Sequence, residues 1–309
     1  MSSSVKSSFD DQYQALQSGR AIVELADWSS ISVTGADRQA FLHNFCTNDV
    51  KRLVPGTNCE AFCTSVKGKI VGHGWILCRD DELVFFGPPG QGSRLVEHLD
   101  RYVIREDVKL CDMTGARSYM LVAGGVPTEA CRQPIPLSII ARDDTNICEL
   151  QVHEMESAVR ALVDSGFVAA APEVFLAARI EAGFPLFGAD FDDRNLPQEV
   201  GRDKQAISFT KGCYLGQETV ARIDALGHVN QKIVGVRFFG SAVPDAGTEM
   251  VLHNAKVGEV KSATFSPKLE APLALGMVRR DANAVGTKLQ SSFGECEVIE
   301  LPIVFEPRA

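Results

Sequence analysis

The chain reads as an α+β protein that ends in a separate β-barrel, and three observations predict this. Over residues 1–231 strand and helix patterns alternate, with hairpins among them, which suits mixed subdomains better than a doubly wound sheet. From 232 to 309 short strand patterns recur between turn clusters with no helical periodicity, as in a small all-β barrel. At 309 residues the chain also exceeds one ordinary domain, so two or three modules are expected, with a division of the first region roughly near 120–150.

The elements follow in order. Residues 1–8 are polar, lack the apolar core of a secretory signal and read as a disordered lead-in. A helix is expected at 11–18, a strand at 31–34, and a second helix at 37–44 entered through Gly35-Ala36-Asp37, whose aspartate suits an N-cap. Short strands are expected at 61–64 and 70–71 around the turn Lys67-Gly68-Lys69. The runs 75–78 and 83–86 bracket Arg79-Asp80-Asp81-Glu82 as a hairpin. The glycine-rich link 87–92 lacks phosphate-loop spacing and reads as a connecting turn into a helix at 93–102. Strand patterns return at 108–112 and 118–122, a Gly- and Pro-rich stretch covers 123–146, and another strand is expected at 147–153. Helical patterns occupy 154–165 and 173–180. Beyond Gly227, strands at 232–239, 257–264, 273–278 and 298–305 alternate with turn clusters at 244–247 and 253–255.

Composition narrows the function classes. Hydrophobic residues make up 45% and charged residues 23%, ordinary for a soluble protein with real cores. A formal net charge of -9 argues against a broad grip on nucleic acid or an anionic membrane. No apolar run approaches the roughly 20 residues of a membrane span. Nine scattered cysteines without a CxxC pair suit a reducing compartment, so a cytoplasmic location is expected. Cys59 and Cys63 have no second pair nearby and the six histidines are dispersed, so no metal site is expected. An intrinsic iron–sulfur cluster would need about four thiolates, and only Cys213 has a distinctive setting.

That setting is Lys211-Gly212-Cys213-Tyr214-Leu215-Gly216-Gln217-Glu218, which gathers an amine, a thiol, a phenol, an amide and a carboxylate on a glycine hinge. A helical pattern begins at Gln217 and meets no breaker until Gly227, so Cys213 is expected at or just before a first helical turn. Free N–H groups and the helix dipole favour a thiolate there, and a nearby Lys211 ammonium would add to the effect. The alternative is a small buried cysteine in a tight loop.

This run is similar to the signature of the YgfZ-type folate-binding proteins, relatives of the glycine cleavage T-protein (aminomethyltransferase) that support iron–sulfur enzymes. The similarity continues into Thr219-Val220-Ala221-Arg222. Arg179, Glu181 and Gly183, then Gly188 and Asp190, then Pro197-Gln198-Glu199 resemble the T-protein segment whose glutamate grips the pterin ring of tetrahydrofolate. Glu181 is the matching position, and a carboxylate suits two adjacent pterin N–H donors. Read without the resemblance, Glu181 is a surface carboxylate or a cap on the Gly183 turn. Gly35-Ala36-Asp37, Phe41-Leu42 and Thr47-Asn48-Asp49-Val50 match another shared stretch, and Val257-Gly258-Glu259, Ser266-Pro267 and Leu273-Ala274-Leu275-Gly276 resemble the family's barrel.

The resemblance implies two intertwined α/β (ferredoxin-like) subdomains that form a folate pocket, followed by the barrel. It implies tetrahydrofolate or a one-carbon derivative as cofactor and iron–sulfur proteins as clients. In that reading Cys213 and Lys211 carry the chemistry, Tyr214 covers the pterin, and Gln217 and Glu218 fix the loop. Arg222 reaches the folate's glutamate tail or pairs with Glu218 one turn back, while Asn48 and Asp49 line the pocket. One departure matters. Where a working aminomethyltransferase has an Asp-Asp pair, this chain has Gly72-His73, and a glycine can neither hold charge nor move a proton. That counts against glycine-cleavage chemistry, with a folate-dependent aminomethyltransferase or demethylase as the alternative. His73 is then a structural residue or a substitute base.

Overall fold

The computed structural model describes residues 7–126, 135–137 and 139–303. The lead-in up to residue 6, positions 127–134 and 138 of the Gly- and Pro-rich stretch, and positions 304–305 of the expected last strand lie outside the described residues.

Helix α1 (Phe9–Gln17) starts with a capping box in which Ser8 and Asp11 satisfy each other's backbone N–H. Strands β1 (Ala21–Leu25) and β2 (Ser29–Thr34) precede α2 (Arg38–His43). Strands β3 (Asn58–Thr64), β4 (Ile70–Cys78) and β5 (Glu82–Gly87) lead through α3 (Gly92–Asp100) to β6 (Lys109–Asp112). The chain continues through β7 (Arg117–Ala123), β8 (Ile135–Pro136), β9 (Thr145–Gln151), α4 (Met155–Asp164), β10 (Val168–Ala169) and α5 (Pro172–Glu181). Two single turns, α6 (Pro197–Val200) and α7 (Asp203–Ala206), come before α8 (Gln217–Leu226). The last region is all strand: β11 (Gln231–Phe238), β12 (Glu249–Leu252), β13 (Ala255–Ser266), β14 (Ala271–Arg279), β15 (Lys288–Ser291) and β16 (Gly294–Ile299).

These strands make two five-stranded sheets, β10-β1-β7-β9-β8 and β3-β4-β5-β2-β6, and a closed barrel, β11-β14-β13-β12-β15-β16. Strand β1 pairs with β7 rather than with its sequence neighbour β2. The second sheet is therefore inserted between two strands of the first, which is what intertwines the two α/β subdomains. The fold class is the expected one, α+β with a barrel. Trp28 seals the joint between the sheets, stacked at 5.0 Å on Phe86 of β5 and edge-on at 6.4 Å to Phe175 of α5. No helix of the described residues is long and apolar enough to cross a membrane.

Several expectations change. Positions 70–71 and 75–78 belong to one strand, β4, whose nine residues are all buried. Packing on both faces removes the alternation that would have marked its length. Gly72 and Gly74 look like interruptions but permit close approach. A Cβ on Gly72 would meet Leu95 Cδ1 of α3 at 2.7 Å, and one on Gly74 would meet the Phe86 carbonyl oxygen at 2.2 Å. The short strands β1, β12 and β15 were not expected. The strand expected at 298–305 is β16, which ends at Ile299.

Candidate functional site

Helix α8 is capped by Gly216, whose φ of 82° is left-handed and favours glycine. A Cβ there would lie 2.3 Å from the Ser65 carbonyl oxygen and 2.8 Å from the Gly68 Cα, so the loop nests against the turn after β3 only because both residues are glycine. Thr64 Oγ1 donates to the Leu215 carbonyl at 2.6 Å, and Leu215 N donates to the Asn44 carbonyl at 2.8 Å. Gln217 Oε1 accepts from Tyr214 N at 3.3 Å. Lys211 is buried: its ammonium donates to the carbonyls of His43, Cys46 and Asn48 and sits 4.8 Å over the Tyr214 ring. Burial lowers its pKa to about 8. Tyr214 packs into a cluster with Phe62, Ile207 and Val220, and burial pushes its phenol up to about 12.

Cys213 itself is exposed. The small-buried-cysteine alternative therefore does not hold. Cys213 stands just before the first turn of α8, ahead of the Gly216 cap, within the expected placement. One other expectation is corrected: the Lys211 ammonium is committed to carbonyls beneath the loop rather than to the thiol. Glu218 and Arg222 are exposed, and no ion pair joins them among the described residues.

Asn48 and Asp49 do lie by this loop. The Asn48 carbonyl accepts from Lys211 at 3.0 Å while its amide donates to the carbonyls of Glu60 and Gln205. Asp49 Oδ1 is 3.3 Å from His43 Nδ1, and Asp49 Oδ2 is 3.0 Å from Arg52 Nε. Burial, then the Lys211 charge, lowers the pKa of His43 against the pull of Asp49.

Glu181, the last residue of α5, is neither on the surface nor a cap; it is 1% exposed. Its Oε2 accepts from the Tyr13 hydroxyl at 2.5 Å, and its Oε1 accepts from Ser266 Oγ at 2.5 Å and Lys268 N at 3.1 Å. Both oxygens are engaged, Oε1 with two donors and Oε2 with one, so the paired acceptance expected for a pterin would compete with Tyr13 and Ser266. No residue hydrogen-bonds both to Glu181 and to the 211–218 loop among the described residues. Arg179, its partner in the same segment, is also framework: it is buried, 2.9 Å from Asp190 and 2.8 Å from Ser262.

Two carboxylates of this segment keep spare capacity: Asp190, whose buried Oδ1 has no hydrogen bond among the described residues, and Glu199, at the end of the quoted Pro197-Gln198-Glu199. Glu199 is buried, and Oε2 accepts from Asn195 Nδ2 at 2.9 Å and Leu196 N at 3.0 Å. Its Oε1 makes no hydrogen bond among the described residues. The signal for it was present in the sequence, inside a segment already singled out.

His73 is fully buried on β4, with Nε2 2.8 Å from Glu60 Oε1 and its ring 4.6 Å from that of Phe62. Arg202 binds both Glu60 oxygens. Burial alone would raise the Glu60 carboxyl, but Arg202 and His73 outweigh it and hold the pKa at about 2. Glu60 and Arg202 are 142 positions apart, and no local pattern marks them as partners. Leu95 fills the space beside Gly72, so its side chain would have to shift for any larger residue at 72. No group of three or more His, Cys, Asp or Glu side chains is arranged to hold a metal among the described residues.

Comparison with known proteins follows these lines. The glycine cleavage T-protein C-terminal barrel domain matches residues 231–307. A putative chloroplastic transferase of Arabidopsis thaliana is 24% identical over 91% of this chain and 71% of that protein. The tRNA-modifying protein YgfZ of Yersinia pestis is 25% identical over 74% of each chain. The crystal structure of aminomethyltransferase T from Bartonella henselae superposes with a TM-score of 0.81 over 94% of this chain and 89% of that one, at 17% identity, a likeness of fold.

Proposed function

The chain belongs to the glycine cleavage T-protein superfamily as a YgfZ-type member, and from that membership we propose that it binds a reduced folate and serves iron–sulfur enzymes through Cys213. The observation that carries the thiol's part is its position: Cys213 is exposed while Lys211 and Tyr214 on either side are buried and bonded. A pinned loop presents one side chain in one orientation at little entropic cost, as a client-facing nucleophile requires. With Gly72 packed on Leu95, no carboxylate stands where an aminomethyltransferase has its Asp pair, which favours an accessory role over glycine cleavage.

For the pterin, the residues fit at Glu199 rather than Glu181. On Glu199 both hydrogen bonds fall on Oε2 and Oε1 has none among the described residues, whereas both Glu181 oxygens are engaged. A bound folate would supply a one-carbon carrier; the chain's own contribution is to accept its N–H donors and keep water away. The Yersinia relative's name, a tRNA-modifying protein, points to tRNA modification as a process that such a client would serve.

Calorimetry with tetrahydrofolate tests this. Wild type is expected to give saturable heats, Glu199→Gln to lose at least tenfold in affinity, and Glu181→Gln to bind near-normally while less stable. Absent heats from folded wild type would refute folate binding, and undiminished binding by Glu199→Gln would refute the pterin assignment.

A further inference from the structure

Cys46 and Cys63 face each other across an isolated antiparallel bridge, 17 positions apart in the chain. Thr47 N donates to the Phe62 carbonyl at 2.9 Å and Thr64 N to the Phe45 carbonyl at 3.3 Å. Those bonds flank the cysteines and make them a non-hydrogen-bonded pair, the class in which opposing Cα atoms approach to about 4.5 Å. That separation lies within the roughly 4.4–6.8 Å a disulfide tolerates. Their sulfurs are 3.3 Å apart and both residues are fully buried.

The pair lies beneath the loop that carries Cys213. Leu215 packs on the apolar cluster containing both cysteines. Lys211 grips the Cys46 carbonyl, and Thr64, next to Cys63, holds the Leu215 carbonyl. In the closed arrangement the contact with Cys63 and burial both keep the Cys46 thiol protonated.

We propose that Cys46 and Cys63 form a dithiol that closes to an intramolecular disulfide by exchange with a low-molecular-weight disulfide, with the 211–215 loop gating access. When the loop lifts, one thiol loses its proton and its sulfur attacks the small disulfide, forming a mixed disulfide and expelling one small thiolate. The second protein thiolate attacks the protein-bound sulfur of that mixed disulfide and expels the other. The two cysteines give up two protons and two electrons, and the small disulfide leaves as two thiols. The inference depends neither on folate binding nor on any role of Cys213.

The test is incubation with glutathione disulfide followed by peptide mapping over time. The expected product is a Cys46–Cys63 link in wild type and in Cys213→Ala and none in Cys63→Ala. Lys211→Met should form it several-fold faster, because the clamp on the Cys46 carbonyl is gone. Cys46 and Cys63 staying reduced in folded wild type, after Cys111 and Cys213 have been fully glutathionylated, would overturn the disulfide. Equal rates in wild type and Lys211→Met would overturn the gate. The wild-type mapping does not rely on any variant folding.

Discussion

The two stretches that looked most like sites, around Glu181 and across residues 211–218, are built in opposite ways. At Glu181 the chemically suggestive group is the one used up: Tyr13, Ser266 and Lys268 occupy its carboxylate, and the result ties α1 and the barrel to the end of α5. In the loop the surroundings are used up and the suggestive group is left over. Lys211, Leu215 and Gly216 are all committed to the chain beneath, and the Cys213 thiol faces solvent. A motif thus sorts into framework and working groups by asking which side chain still has bonding capacity once the fold has formed. By that measure Glu181, Arg179 and Lys211 are framework, and Cys213 and Glu199 are the groups proposed to work.

The strongest way to break this contrast is Glu181→Ala. It would strand a buried hydroxyl on Tyr13, another on Ser266 and the Lys268 N–H. Urea unfolding should show a loss of about 3–5 kcal/mol. A loss under ~1 kcal/mol would mean that the carboxylate is not framework.

Next in size is the acid limb of stability, which rests on Glu60. Its folded pKa, about 2, lies below the 4.5 of an ordinary glutamate, so the stabilisation is present above 4.5 and drains away as pH falls from there towards 2. Stability measured against pH should fall through that window in wild type, and Glu60→Gln, though less stable at neutral pH, should show a flatter slope there. Parallel slopes would remove Glu60 from the account.

Lys211→Met sharpens the comparison from the loop side. It deletes one buried ammonium and the three carbonyl contacts it makes, for an expected loss of about 2 kcal/mol. Hydrogen exchange at the Leu215 amide should speed up more than at amides of β7. Uniform acceleration would show that the loop is not pinned locally by this residue.

Much of the frame was legible because it is local. Helix α8 shows its apolar spacing and its Gly227 stop in the sequence, and the strands of the barrel are separated by turn residues. β4 was divided in two because a strand buried on both faces carries no alternation, and its glycines look like breaks until α3 is seen packed on Gly72. The site was legible in the identity of its segments but not in the division of labour within them. Tyr13 and Glu181 are 168 positions apart, and only the fold shows that the tyrosine claims the carboxylate. Lys211 lies two residues from Cys213, yet its charge turns inward because three carbonyls at the end of α2 and beyond converge on it.

The most direct test of the central claim is complementation of cells lacking their own protein of this type, with the activity of an iron–sulfur enzyme as readout. Cys213 and Cys111 are both exposed, so each serves as the other's control, and removing either thiol should change stability by no more than about 0.5 kcal/mol. The account predicts rescue by wild type and by Cys111→Ala, and failure by an equally abundant, folded Cys213→Ala. Full rescue by Cys213→Ala would contradict it.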